Sequence, residues 1–314
     1  MTIIGHKDNR ERISGLILKK QFPQTSLWYG QSGIGKKKVV QRVASALLCE
    51  SPKKKENEIF NCGACGSCQL FLSNNHPDFF LVEPTVPKTK KKTPFDTTRG
   101  SIKVEQIQEV KRRLVYAPLM SPYQIVVIDD AELMTKTTAN SLLKILEEPK
   151  PNQIFILVTS QLNQILVTIR SRGVKFFFPP LTEAEVRNVL PSLVEDSLLK
   201  EKSDLVSFYL KCFPGSPSCV AQALELPFGL KDYEKWIQKK GSFLEISALA
   251  KECSREEMSF PIFLEILRGF FLQEVRGKAR QEIVDLKFFE KLSAAKRQEE
   301  RYISKEFILE NLFL

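Results

Sequence analysis

The sequence predicts an α/β layered module followed by an all-helical remainder. Three observations point there: short β-branched runs alternating with amphipathic stretches, a proline pair that ends the alternation, and only helix-period patterns after it. The apolar runs are Ser26-Leu27-Trp28-Tyr29, Phe79-Phe80-Leu81-Val82, Ile125-Val126-Val127-Ile128, Ile154-Phe155-Ile156-Leu157-Val158 and Val174 to Phe178. They are compact and rich in β-branched or aromatic residues, as parallel strands covered on both faces should be. After the first run, Val39, Val40, Val43 and Leu47 fall on one helical face, and after the second, Val104, Ile107, Val110 and Leu114 recur at three and four. Strand, helix and strand in this order call for right-handed crossovers in a parallel sheet. Glu83 to Gly100, with its prolines, threonines and Lys88, Lys90, Lys91 and Lys92, reads as an exposed loop.

Pro179-Pro180 then breaks the pattern. Ile262, Phe263, Ile266, Leu267, Phe270, Phe271 and the terminal Phe307 to Phe313 are helix-like, and Pro227-Phe228-Gly229 suggests a second break. The expected domains are therefore 1–180, 181–231 and 232–314.

The chain has 314 residues and a net charge of +10, which favours a polyanionic partner, most simply nucleic acid. With 43% hydrophobic and 27% charged residues, fibrous, collagen-like and wholly disordered classes are excluded. No run approaches the roughly 20 apolar residues of a membrane span, and Met1 to Lys7 lacks a secretory pattern, so a cytoplasmic protein without a membrane partner is expected. In such a reducing compartment the run Cys62, Cys65 and Cys68, preceded by Cys49, favours metal over disulfide. Four thiolates in tetrahedral geometry describe a closed structural zinc site, with free thiols as the alternative and Cys49 separated from the rest by a long polar insert.

Gly30-Gln31-Ser32-Gly33-Ile34-Gly35-Lys36-Lys37 fits the phosphate-loop pattern G-x4-G-K up to its last position. Gly30, Gly33 and Gly35 would let backbone N–H groups converge on phosphate oxygens, and Lys36 would reach the β and γ phosphates. The next residue should carry a hydroxyl for magnesium, but Lys37 has donors only. The loop is then either a weak nucleotide cradle or a relic that binds nothing, and magnesium is not expected. Ile128-Asp129-Asp130-Ala131-Glu132 delivers carboxylates at a strand end, where Asp129 suits the magnesium side and Asp130 is a methylene too short to polarise water. The same acids could instead cap the following helix.

Three segments make the pattern specific: Ile102 to Ile107, Tyr123 to Met134, and Ala139-Asn140-Ser141-Leu142-Leu143-Lys144-Ile145-Leu146-Glu147-Glu148-Pro149. With Ser171-Arg172 and the cysteine insertion, they resemble the bacterial DNA polymerase III clamp-loader ATPase family over most of residues 1–180. The damaged nucleotide motifs are most similar to the family's non-motor, delta-prime-type subunits. The resemblance implies an AAA+ module, a small helical lid and a helical collar. It implies that Arg172, within a Ser-Arg-Cys motif whose cysteine is here Gly173, projects into a neighbour's ATP site. It places Thr159 at the first sensor position, and puts Ser218 or Cys219 where a second-sensor arginine would stand.

The expectation is an accessory subunit with no hydrolysis of its own, which helps set the sliding clamp on primed DNA beside motor and delta-type subunits. Lys36 to Lys38, Lys53 to Lys55, Lys90 to Lys92 and Lys111 to Arg113 could face DNA phosphates or simply be solvated. A motor-type ATPase and a zinc-containing DNA-binding module are the alternatives. Lys37 opposes the first, and the second leaves Asp129 and Arg172 unexplained. The other role open to Arg172 is a local salt bridge.

Overall fold

The computed structural model describes residues 3–85, 100–225 and 266. In chain order they form α1 (Lys7–Leu18), β1 (Thr25–Tyr29), α2 (Lys36–Leu48), β2 (Lys53–Lys55), β3 (Glu58–Phe60), α3 (Gly66–Leu72), β4 (Phe79–Val82), α4 (Val104–Leu114) and β5 (Gln124–Ile128). These are followed by α5 (Lys136–Glu147), β6 (Gln153–Thr159), α6 (Val167–Arg170), β7 (Val174–Phe177), α7 (Glu183–Val189), α8 (Asp196–Glu201), α9 (Ser203–Cys212) and α10 (Pro217–Leu224). The chain divides into two compact units, with the break in the described backbone between Leu181 and Thr182.

Five strands of the first unit pair in parallel in the order β4-β5-β6-β1-β7. The expected strands are all present, and two of the three interior ones, β5 and β6, are buried along their whole lengths, which is why they read as continuous apolar runs. Period-two alternation divides their side chains between two cores. Trp28, Val127, Ile156 and Val158 pack with α1 and α2, whereas Leu27, Val126, Phe155 and Leu157 pack with the α4 and α5 side.

Trp28 is fully buried, stacks on Phe178 at 5.2 Å between centroids and donates its indole N–H to Ser26 Oγ at 3.0 Å. Trp28→Ala should therefore lower unfolding stability by about 3–5 kcal/mol, as truncation of a fully buried aromatic does, read from the midpoint of denaturant unfolding at unchanged slope.

The long polar insert between Cys49 and Cys62 has regular structure of its own. Its middle is an antiparallel hairpin, β2 with β3, in which Lys54 faces Ile59. Glu58 anchors it, accepting from Arg10 at 3.0 Å on α1 and from Arg42 on α2, and Ile59 N–H donates to Ser14 Oγ at 3.0 Å. A carboxylate shared by two guanidiniums offsets the desolvation of all three groups better than a single pair would.

The loop expected over Glu83 to Gly100 is also tied at both ends. Thr85 and Ser101 exchange backbone hydrogen bonds at 3.1 and 3.3 Å, and residues 86–99 lie outside the described part.

In the second unit, Thr182 and Glu185 form a capping box that starts α7, two residues beyond the proline pair that closes the strand pattern. Val186, Leu190, Leu205, Tyr209, Val220 and Leu224 are buried there, and Lys202 Nζ donates to Leu224 O at 2.8 Å. The break expected near 227–229 and the collar expected over 232–314 lie outside the described residues, Ile266 apart. No helix among the described residues is long and apolar enough to cross a membrane.

Candidate nucleotide-type site, the Arg172 turn and the thiolate centre

Strand register sets the candidate site. Tyr29 lies opposite Thr159, Leu157 opposite Ile128, and Ile128 opposite Val82. The carboxyl ends of β1, β6, β5 and β4 therefore deliver Gly30, Ser160, Asp129 and Glu83 along one edge of the sheet, where ligands of open α/β sheets bind. The loop glycines are required locally. A Cβ at Gly30 would lie 2.2 Å from Phe178 O, and Gly35 caps α2 with φ 94°.

Lys36 turns back into its own loop, donating to Gly30 O at 2.8 Å and Gln31 O at 2.7 Å, and is only 7% exposed. Burial pushes its ammonium below the ordinary lysine value, against the opposing pull of Glu132, Asp130 and Asp129. Lys37 is bound by two carboxylates: it makes a close ion pair with Glu83 and lies 3.3 Å from Asp129 Oδ2. Burial works against its charge, but the hydrogen bond it donates to Glu83 and the charge of Asp129 prevail and raise its pKa.

Asp130 sits in the left-handed region at φ 47° in the turn after β5, with its N–H 3.2 Å from Asp129 Oδ1. Glu132 accepts from Ser160 N–H and Oγ at 3.1 and 2.5 Å, and Thr159, fully buried, accepts from Gln161 N–H at 3.0 Å. The structure thus brings Lys36, Lys37 and Asp129 together at the sheet edge on which Thr159 also ends. It adds Glu83, which sequence reasoning had placed in a solvated loop. Its signal was its position one residue beyond an apolar strand run, the same offset that Asp129 has from Ile128.

Arg172 lies elsewhere, in the turn between α6 and β7. Its guanidinium donates to Thr168 O at 2.6 Å and to Glu147 Oε1 at 2.6 Å, with the side chain 32% exposed. The local salt bridge is therefore formed, and its partner is the first glutamate of the Leu-Glu-Glu-Pro run. Of the basic clusters, Arg112 and Arg113 pair with Glu109, Lys53 to Lys55 are exposed on β2, and Lys90 to Lys92 lie outside the described residues.

The four cysteines converge. Their sulfurs all lie within 4.8 Å of one another, with Cys49–Cys68, Cys62–Cys68 and Cys49–Cys65 at 3.6, 3.8 and 3.9 Å. A tetrahedron with Zn–S bonds of about 2.3 Å has edges of about 3.8 Å, so the donor set fits zinc. Backbone N–H groups of Ala64 and Cys65 point at Cys62 Sγ from 3.5 and 3.3 Å and hold its thiol down to about 6. Burial pushes the Cys49 thiol up to about 12 and raises that of Cys68. Burial of this kind favours protonated sulfur, which a bound dication reverses.

His76 and Asp78 lie in the turn before β4, closed by Phe79 N–H donating to His76 O at 3.2 Å, and they also form a buried hub. His76 Nδ1 accepts from Asp78 N–H at 3.1 Å, which leaves the proton on Nε2, 2.8 Å from Ser67 Oγ and 3.3 Å from Ser121 Oγ. Both serines donate to Leu48 O, at 2.6 and 2.9 Å, and the Asp78 carboxylate accepts from the N–H groups of Leu119, Met120 and Ser121. The hub thus ties the peptide before Cys49 and the serine between Cys65 and Cys68 to the sheet.

Burial lowers the His76 pKa, with Asp78 acting in the opposite sense. A depressed folded-state value means that its contribution is complete above the unfolded value of about 6.5 and is lost as pH falls below it. His76→Gln should accordingly lower stability at pH 7.5 and reduce the extra loss between pH 7 and 5.5, compared with wild type by urea unfolding at each pH.

A family model described as "DNA polymerase III, delta subunit" matches residues 5–182. Among curated proteins, the chain is 30% identical over 285 residues to DNA polymerase III subunit delta' of Bacillus subtilis, covering 86% of this chain and 78% of that one. It is 32% identical over 157 residues to the subunit delta' of Pseudomonas aeruginosa, covering 50% of this chain but only 43% of that relative's length. Among solved structures, a DNA polymerase III gamma subunit-related protein of Thermotoga maritima superposes with a TM-score of 0.50 at 16% identity, covering 97% of each chain, which shows a shared fold. On the family match across more than half of its length and the extended Bacillus relationship, the chain belongs to the DNA polymerase III delta-subunit family, as a delta-prime-like clamp-loader subunit.

Proposed function

We propose that this chain is a non-motor subunit of the DNA polymerase III clamp loader. In this reading it helps place the sliding clamp on primed DNA and lends Arg172 to the ATP site of a neighbouring motor subunit, with delta-type subunits completing the assembly. The observation that carries the reading is the placement of charge. In the chain's own site a lysine ammonium lies on Asp129, where hydrolysis needs a metal, while the Arg172 guanidinium stands apart on a partly exposed turn. A guanidinium aimed at a γ-phosphate stabilises the charge that develops during transfer, and it acts equally well from across a subunit boundary. Asp130, shorter than glutamate and held in a left-handed turn, supports the same assignment.

Residues 181–231 would serve as the lid, and residues 232–314 would provide the collar contacts. The Cys49, Cys62, Cys65 and Cys68 centre would hold one structural zinc; with four protein ligands no position remains for a catalytic water. ATP would bind to the lone chain weakly or not at all. A motor role is the competing reading, and reconstitution separates the two. The purified chain alone should show no ATP turnover, and adding it to motor and delta-type subunits, clamp and primed DNA should raise theirs. Sustained hydrolysis by the chain alone would establish the motor role instead.

A further inference from the structure

Glu83 and Asp129 leave neighbouring parallel strands at matched register, since Val82 faces Ile128. Each is also fixed from behind: Glu83 O accepts from Gln106 Nε2 at 2.8 Å, and Asp129 N–H donates to Val82 O at 2.9 Å. These contacts hold the backbone at each strand end, and a cation reaching both carboxylates relieves the repulsion of their like charges. In a nucleotide hydrolase the strand-end aspartate and the hydroxyl after the loop lysine share a divalent ion. Here position 37 supplies an ammonium that reaches both carboxylates, and the Asp129 side chain is 14% exposed beneath it. The other charged groups at this edge are Lys36, Asp130 and Glu132, the last already bound to Ser160.

We infer that Lys37 is a resident substitute for a divalent metal: its ammonium masks a latent magnesium-type site built from Asp129 and Glu83, and so makes this edge of the sheet independent of metal. The inference concerns a hard dication with oxygen ligands and does not depend on what Arg172 does. An ammonium balances one of the two carboxylates where a dication would balance both, so Lys37 leaves one negative charge that the nearby Lys36 can offset. The lysine thereby decides a selectivity. With it in place Asp129 is already paired, and a metal must compete with a tethered cation that never leaves the site. With a hydroxyl there, the same position would gain a metal ligand.

The test uses the full-length chain and manganese as the probe, read by the loss of its free electron paramagnetic resonance signal. Wild type and Lys37→Arg should bind no stoichiometric manganese at this edge. Lys37→Thr should bind one ion at least roughly tenfold more tightly than wild type, since both carboxylates and a new hydroxyl become available. Adding Asp129→Asn to Lys37→Thr should abolish that ion, which assigns it to this edge rather than to the cysteines. Unfolding temperature supplies a second readout. Manganese or magnesium should raise it for Lys37→Thr beyond sodium chloride of equal ionic strength, and leave wild type unmoved. Should the threonine variant fail to accumulate, Lys37→Gln removes the charge at similar length and supports the same comparison. Stoichiometric manganese on wild type that Asp129→Asn removes, or none on either uncharged variant, would overturn the inference. Neither result depends on loader turnover, so it stands or falls separately from the finger.

Discussion

Arg172→Ala should depress ATP turnover at the site it faces in the reconstituted loader by about a thousandfold, the lower end of what arginine fingers contribute elsewhere. The loss should appear in turnover number rather than in nucleotide affinity, because in the proposed role the guanidinium would meet charge that develops only during transfer. Arg172→Lys should recover little, since an ammonium cannot reproduce the planar fork that grips two oxygens at once. The isolated chain should hardly notice. Its Glu147 pair is partly exposed, so its removal should cost less than about 1 kcal/mol of stability. Single-turnover measurement on loader assembled with each variant checks this. Turnover indistinguishable from wild type would reduce Arg172 to the salt bridge seen in the structure.

Metal removal should have the largest effect on stability. Purified, unchelated chain should carry about one zinc, and Cys65→Ser or Cys68→Ser should lose it, by elemental analysis. Extracting the ion leaves four sulfurs within 4.8 Å of one another, two of them raised by burial, on a segment with few apolar groups of its own. Ligand binding energy is folding energy in such modules, so loss of several kcal/mol and protease sensitivity confined to the Cys49–Cys68 segment are expected, followed by differential scanning calorimetry and limited proteolysis. The hairpin β2–β3 should survive longest, because Glu58 and Ser14 hold it to α1 and α2 without the metal. Zinc-free protein of undiminished stability would leave the cysteines as packed thiols.

The largest features were legible in the residues. Strands buried on both faces favour apolar side chains along most of their length, so β1, β5 and β6 announce themselves as apolar runs. Cysteine spacing announced a shared centre, because two intervening residues and a glycine turn suffice to return a thiol to the same point. Lys37 was legible as a defect, the wrong chemistry at a position where a metal needs a hydroxyl.

What sequence could not supply was pairing across distance. That Lys37 finds Glu83 as well as Asp129 depends on β4 lying beside β5 in a particular register, a property of the sheet rather than of either segment. The burial of His76 and Asp78 was not legible because their partners Ser67 and Leu119 to Ser121 lie 9 to 45 positions away. Glu147 holding Arg172 is likewise a meeting of α5 with the turn after α6. Local patterns fix which residues are buried and which carry charge, since burial and periodicity act within one segment. The identity of each charge's counterpart is set only when separate strands close into a layer, because electrostatic partners are chosen by distance through space, which the order of residues along the chain does not record.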